Sequence, residues 1–201
     1  MKKFVFLLAI VLTVSFLTAG VKNAIAVADE VNISAPKNAS RDVLYTEDFE
    51  SGAIGWTHYD GAVSPNMWHI YDSGGTQGNV WWMGDEDGNG GYHNHQYLVL
   101  DTPIIPISTS NSTLTFKMKH GLEPPGVSGE YDGWDSFNIR ISTNSGISYT
   151  VIPDTIAITE PIYDFNNSYA FGSEHGEGMG VPGWGGVRDW TTVTVDLSSY
   201  L

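Results

Sequence analysis

Three segments of this 201-residue chain alternate apolar and polar residues with a period of two, and nothing else in it constrains the fold as tightly. Leu114, Phe116 and Met118 alternate with Thr113, Thr115, Lys117 and Lys119. Phe137, Ile139 and Ile141 alternate with Asn138, Arg140 and Ser142, and Val193, Val195 and Leu197 with Thr192, Thr194 and Asp196. Successive side chains of a strand point to opposite faces, so each segment reads as a strand with one buried and one wet face. No stretch carries the 3.6-residue period of an amphipathic helix. Shorter strands are expected at Leu44 to Phe49, Gly55 to Tyr59, Met67 to Tyr71, Val80 to Met83, Gln96 to Leu100 and Ile147 to Ile152. Asn144-Ser145-Gly146 is the clearest hairpin turn. The expected fold is all-β, an antiparallel β-sandwich or jelly roll. From Pro153 to Gly186 the chain is rich in Gly, acids and aromatics, a length of loop that is functional or poorly ordered.

The N-terminus reads as a processing signal. Lys2 and Lys3 precede an apolar run from Phe4 to Ala19, and Ala24-Ile25-Ala26 or Ala26-Val27-Ala28 offers small-residue cleavage sites. The expected organisation is a leader over 1–28, a linker over 29–42 and one β domain over 43–201. Export as a secreted or cell-surface protein follows, with no membrane insertion after cleavage. Three lysines and no acid leave with the leader, taking the formal net charge from -14 to -17. That surface disfavours nucleic acid and anionic membranes and favours cations. With no cysteine, an exported domain has no disulfide staple, so its core or a bound metal must supply the stability. After Leu197 only Ser198-Ser199-Tyr200-Leu201 remain, so the sandwich reads as lacking its last strands and the final strand as an edge.

Asp85-Glu86-Asp87-Gly88-Asn89-Gly90 places oxygen-bearing side chains at alternate positions and closes on glycine. Calcium takes six to eight hard oxygen ligands, and positions 1, 3 and 5 of such a loop supply them when glycine at position 6 allows the turn. Asp85, Asp87 and Asn89 are the candidate ligands. An EF-hand would also need a glutamate at position 12, where Gln96 stands, and flanking helices. The reading is therefore calcium on a β scaffold, against a solvated acidic turn that binds nothing.

Three stretches carry a family resemblance: Glu47-Asp48-Phe49-Glu50-Ser51-Gly52 with Gly55-Trp56-Thr57, then Tyr131-Asp132-Gly133-Trp134 through Ser145-Gly146, and Trp190 through Asp196-Leu197-Ser198-Ser199-Tyr200. Together they resemble the MAM-like jelly-roll domain of immune inhibitor A-type secreted metallopeptidases and the related cleaved-adhesin domains, from about Leu44 onward. The resemblance implies a non-catalytic accessory module serving adhesion or substrate docking beside a catalytic domain of a longer parent. It also implies calcium near the first strand, with Glu50 the family-type ligand and Asp48 the weaker one. The implied partners are an extracellular protein or glycan.

No H-E-x-x-H, G-x-S-x-G or phosphate loop occurs in the chain. His93 and His95 would need a third ligand to hold zinc, and read as solvated loop histidines. Carboxylates such as Glu130, Asp132, Asp135, Glu174 and Glu177 would have to oppose one another across a cleft to hydrolyse a glycoside. The seven Trp and ten Tyr are the second signal, since aromatic faces stack on sugar rings. Trp134 and Trp184, in Gly-rich loops, are the candidate ligand-binding residues for the alternative reading, a carbohydrate-binding module. Trp56, Trp68 and Trp190 read as core, and of the adjacent pair Trp81-Trp82 only one can be. If calcium ties the acidic loop down, thermal unfolding with calcium should exceed that with chelator by roughly 2.7 kcal/mol at a hundredfold excess over Kd, and Asp87→Ala should abolish the difference.

Overall fold

Backbone pairing on both edges of two N-terminal strands organises the molecule. The computed structural model describes residues 4–13 and 25–34 as strand backbone, and residues 43–61, 67–85, 91–107, 112–126, 129–154 and 158–200. Twelve strands are described: β1 (Phe4–Thr13), β2 (Ile25–Ser34), β3 (Val43–Glu47), β4 (Thr57–Asp60), β5 (Trp68–Asp72), β6 (Asn79–Met83), β7 (Tyr97–Asp101), β8 (Ile105–Ile107), β9 (Thr113–Gly121), β10 (Ser136–Ser142), β11 (Thr150–Val151) and β12 (Val187–Asp196). A π-helical turn (Ala170–Glu174) and a 3₁₀ turn (Ser198–Tyr200) complete the set.

The strands form two antiparallel sheets. The first runs β11-β10-β1-β7-β4, with β8 beside the start of β1; the second runs β12-β9-β2-β6-β5, with β3 beside the end of β2. β1 faces β10 from Leu7↔Ser142 to Thr13↔Ser136, and on its other edge faces β7 from Ala9↔Asp101 to Thr13↔Tyr97. β2 pairs with β9 along one edge and with β6, then β3, along the other. The all-β antiparallel expectation is met. The sequence boundary between leader and linker falls inside β2.

The core lies between the sheets. Leu114, Phe116 and Met118 from β9 and Val193 and Val195 from β12 meet Leu98 and Leu100 from β7 and Phe137, Ile139 and Ile141 from β10, each at 4 % exposure or less. The alternating faces of β9 behave as their pattern demands, with Thr113, Thr115 and Lys117 half-buried and Lys119 exposed. β10 does not. Its supposed wet face is buried too, with Asn138 at 0 %, Arg140 at 8 % and Ser142 at 1 %. The cause is the segment after β11. Trp184 exchanges two backbone hydrogen bonds with Phe137 (2.9 and 3.1 Å), Asn138 donates to the Pro182 carbonyl (2.9 Å), and Thr159 donates to Thr194 at the outer edge of β12 (3.0 Å). The Gly-rich stretch is a cap that stitches onto both sheets. Its glycines are there for close approach: a Cβ on Gly183 would stand 2.8 Å from that of Ser136.

His120 of β9 is 2 % exposed, with its ring at the edge of Phe137 (5.1 Å) and Nδ1–H donating to the Gly186 carbonyl (3.0 Å). Burial holds its pKa down at about 4, against the opposing pull of that carbonyl. The folded state therefore keeps the neutral ring while the unfolded chain protonates near pH 6.5. As pH falls from 6.5 towards 4, the native protein should lose on the order of 3 kcal/mol relative to His120→Gln. Urea unfolding of both proteins at pH 7, 5.5 and 4 measures that difference.

Candidate ligand site at Trp82

Adjacent strand residues face opposite ways, so Trp81 and Trp82 on β6 separate into different environments. Trp81 is 4 % exposed in the core, beside His58 (5.1 Å) and Trp56 (6.4 Å). Trp82 turns to the outer face of the second sheet. There it packs with Tyr71 (ring centroids 5.5 Å) and Trp190 around the buried Val80. Trp190, expected in the core, belongs to this half-buried outer group instead, because strand alternation from the inward Val193 and Val195 puts it on the same face as Thr192 and Thr194. A depression of about 390 Å³ opens beside Trp82, lined also by Lys119, His120 and Gly121 of β9 and Val187, Arg188 and Asp189 of β12; Tyr71 and Trp190 stand outside it. Lys119 and Asp189 form an exposed ion pair across it (3.2 Å). Among the described residues the buried indole N–H of Trp82 has no hydrogen-bond partner, and neither has that of Trp81 in the core. A buried donor without an acceptor costs about 1 to 3 kcal/mol, and such groups in native proteins call for a water or ligand.

A second depression, of about 450 Å³, lies on the outer face of the first sheet, lined by Gly61, Tyr97, Arg140, His175 and Glu177. Most of its polar groups serve one another, although His175 Nε2 is buried without a hydrogen-bond partner among the described residues. One Arg140 terminal nitrogen donates to both Glu177 oxygens (3.0 and 2.9 Å), Arg140 Nε donates to Asn138 (3.1 Å), and the Tyr97 hydroxyl donates to Glu177 (2.9 Å). The guanidinium sits 4.9 Å from the Phe171 ring, presented by the π-helical turn, and 6.0 Å from Tyr97. His175 stands edge-on to Tyr97 (5.1 Å), and burial lowers its pKa. Nearby, burial lifts Asp101 to about 6, only partly offset by a hydrogen bond from Tyr149. With Nε and one terminal nitrogen engaged, the Arg140 side chain is left 9 % exposed.

The residues singled out by sequence are scattered. Glu50 accepts from the Asn79 backbone N–H (2.8 Å) and its side-chain amide (3.2 Å), at the start of β6. Asp85 is exposed just past the other end of β6. The five-residue β6, Asn79–Met83, therefore separates Glu50 at one end from Asp85 beyond the other. Asp87 and Asn89 lie outside the described residues. Among those residues no group of three His, Cys, Asp or Glu side chains is placed to hold a metal ion. His95, with φ of 60°, pairs through Nδ1 with Glu174, while His93 is exposed. Asp132 accepts from the backbone N–H groups of Asn166 (3.2 Å) and Asn167 (2.8 Å), and Asp135 is buried against the Tyr92 hydroxyl (2.7 Å).

Trp134 is half-buried, edge-on to Tyr169 at 5.3 Å. Trp184 is the clear correction. It is fully buried, stacked among Phe137 (5.0 Å) and Tyr163 (4.5 Å), with its indole N–H shared between the Pro161 and Ile162 carbonyls (3.0 Å each). It has no surface to offer a sugar. Sequence reasoning missed the Arg140 network, although an arginine inside an otherwise uncharged strand was the available signal.

No family model, no curated protein and no solved structure matches this chain. Trp184→Ala should therefore cost about 4 kcal/mol of stability, the scale of a deleted core aromatic, as read by denaturant midpoint. Were Trp184 a ligand contact, stability would hold and only binding would fall.

Proposed function

We propose that this chain is an exported, non-catalytic β-sandwich module, of the MAM-like jelly-roll kind its motifs resemble, serving adhesion or substrate docking for a larger secreted protein. Its ligand is a glycan, bound at the Trp82 depression. The observation that carries this reading is the half-buried Trp82 indole, which lines the depression beside the exposed Lys119–Asp189 ion pair. Sugar rings present apolar faces that stack on indole, and hydroxyls that bond to rim charges such as Lys119 and Asp189. The acidic chain repels nucleic acid and anionic lipid. This moves the carbohydrate reading from Trp134 and Trp184 to the outer face of the second sheet, where Trp82 stands on β6 paired with β5.

Calcium remains part of the proposal as a structural ion at the Asp85 to Asn89 loop. Glu50 is better suited as an anchor than as a ligand there, since both its oxygens already hold Asn79. When bound, the ion would supply charge neutralisation and loop rigidity, and Asp85 contributes one exposed carboxylate toward it.

Retention on immobilised polysaccharides, followed by affinity electrophoresis, tests the site. Trp82→Ala should weaken retention at least tenfold, corresponding to about 1.4 kcal/mol. Trp82→Phe should keep part of it through stacking alone, and Trp134→Ala should leave it unchanged. Unaltered retention in Trp82→Ala would remove the site from consideration.

A further inference from the structure

β1 occupies an interior lane, with seven register positions against β10 and five against β7. The export reading removes that lane's occupant, because cleavage at Ala26 or Ala28 takes Phe4–Thr13 with it; the same cut removes the start of β2 from Ile25, which pairs with β6, so the lane between β6 and β9 is shortened in the exported protein as well. We propose that in the exported protein the lane between β7 and β10 is a strand-acceptor slot, which takes an extended, uncharged, apolar segment of a partner polypeptide running antiparallel to both walls. The proposal rests on the export reading given above.

Three observations carry it. Loss of β1 would unpair backbone groups on two interior strands, not at an edge, and buried unpaired N–H and C=O groups are rarely left so. The walls are also part of the core: Leu98, Leu100, Ile139 and Ile141 are each 4 % exposed or less, and an empty lane would wet them. Then there are two side-chain straps that cross over the lane on its outer side. Tyr149, just before β11, hydrogen-bonds Asp101 of β7. Arg140 of β10 and Tyr97 of β7 hold the same Glu177 carboxylate. Walls two lanes apart stand about 9.6 Å from each other, and these straps hold them at a one-strand gap. The ligand chemistry follows from the lane. Phe4 to Thr13 contains no charge, and a charge buried there would be costly. Main-chain bonds supply affinity and alternate side chains supply selection, as in other strand-addition sites.

The test begins with the exported protein, its N-terminus read by mass spectrometry, and a peptide carrying Phe4–Thr13 flanked by lysines for solubility. Hydrogen exchange should be fast at Leu98–Asp101 and Phe137–Ser142 in the exported protein alone, and the peptide should slow it at least about tenfold there. A scrambled peptide with two central aspartates should do nothing. Should the exported protein fold poorly by itself, the full chain with a protease site between Thr13 and Ile25 is cut after folding. Retention of the cut β1 fragment through gel filtration, and its exchange for labelled peptide, supports the slot. Loss of the fragment with unchanged β7 and β10 protection overturns it. Protected β7 and β10 in a peptide-free monomer overturn it as well, and the same protection in a dimer replaces the partner strand with a second copy. A secreted protein that retains residues 1–28 overturns the cleavage on which the slot rests, which the cleaved-but-closed outcome does not touch.

Discussion

Each sheet is built outward from a strand contributed by the first 34 residues, and the arrangement of everything else follows from that pairing. Among the described residues the backbone pairing of β10 with β7 runs through β1, and that of β9 with β6 through β2. A sheet interior is cooperative because each lane satisfies the backbone groups of its two neighbours. The caps and outer aromatic groups are secondary to it: Trp82, Lys119 and Ala26 stand in one register row across β6, β2 and β9. The shape of the outer face at Trp82 thus depends on which strand fills the central lane.

The strand pattern was legible where burial is one-sided. β9 and β12 could be read almost residue by residue, because Thr and Lys on one face and Leu, Phe, Met and Val on the other describe a surface sheet. β10 looked the same and is not, since Asn138, Arg140 and Ser142 are polar yet covered. Their partners, Pro182, Glu177 and Asn144, include two from a segment about 40 residues away, which period-two reasoning does not see. The same distance effect misled the reading of Trp184. Glycines on both sides suggested an exposed loop, whereas they are what lets the backbone approach Phe137 closely enough to bury the indole. The Trp81-Trp82 pair was read correctly because strand alternation alone decides it.

The absence of cysteine also finds its physical counterpart. The segment from Ile158 to Gly186 performs the tying that a disulfide would otherwise supply, through paired backbone hydrogen bonds at Phe137 and Thr194 and the buried side chains of Tyr163, Phe165 and Trp184. Its acids are used internally: Asp164 serves Arg188 and Gly185, and Glu177 serves Arg140 and Tyr97. An acidic composition had pointed to cations in solution. Part of that acidity is spent on holding the cap down, and the Asp85 to Asn89 loop stands apart from it in sequence.

The two outer depressions show why the presence of charged and aromatic groups does not by itself mark a binding site. At Arg140 the donors and acceptors meet within the protein, so a ligand would have to displace a hydrogen-bonded carboxylate from a guanidinium that is 9 % exposed. Removing one member of such a pair leaves a buried charge uncompensated, a cost of about 3 to 5 kcal/mol, which a weak polar ligand cannot repay. At Trp82 the rings pack around Val80 and the rim ion pair is exposed. A ligand there meets charges that are solvated and only weakly held to each other. The exposure of the rim charges, more than the number of aromatic rings, is what separates a recognition surface from a structural clasp.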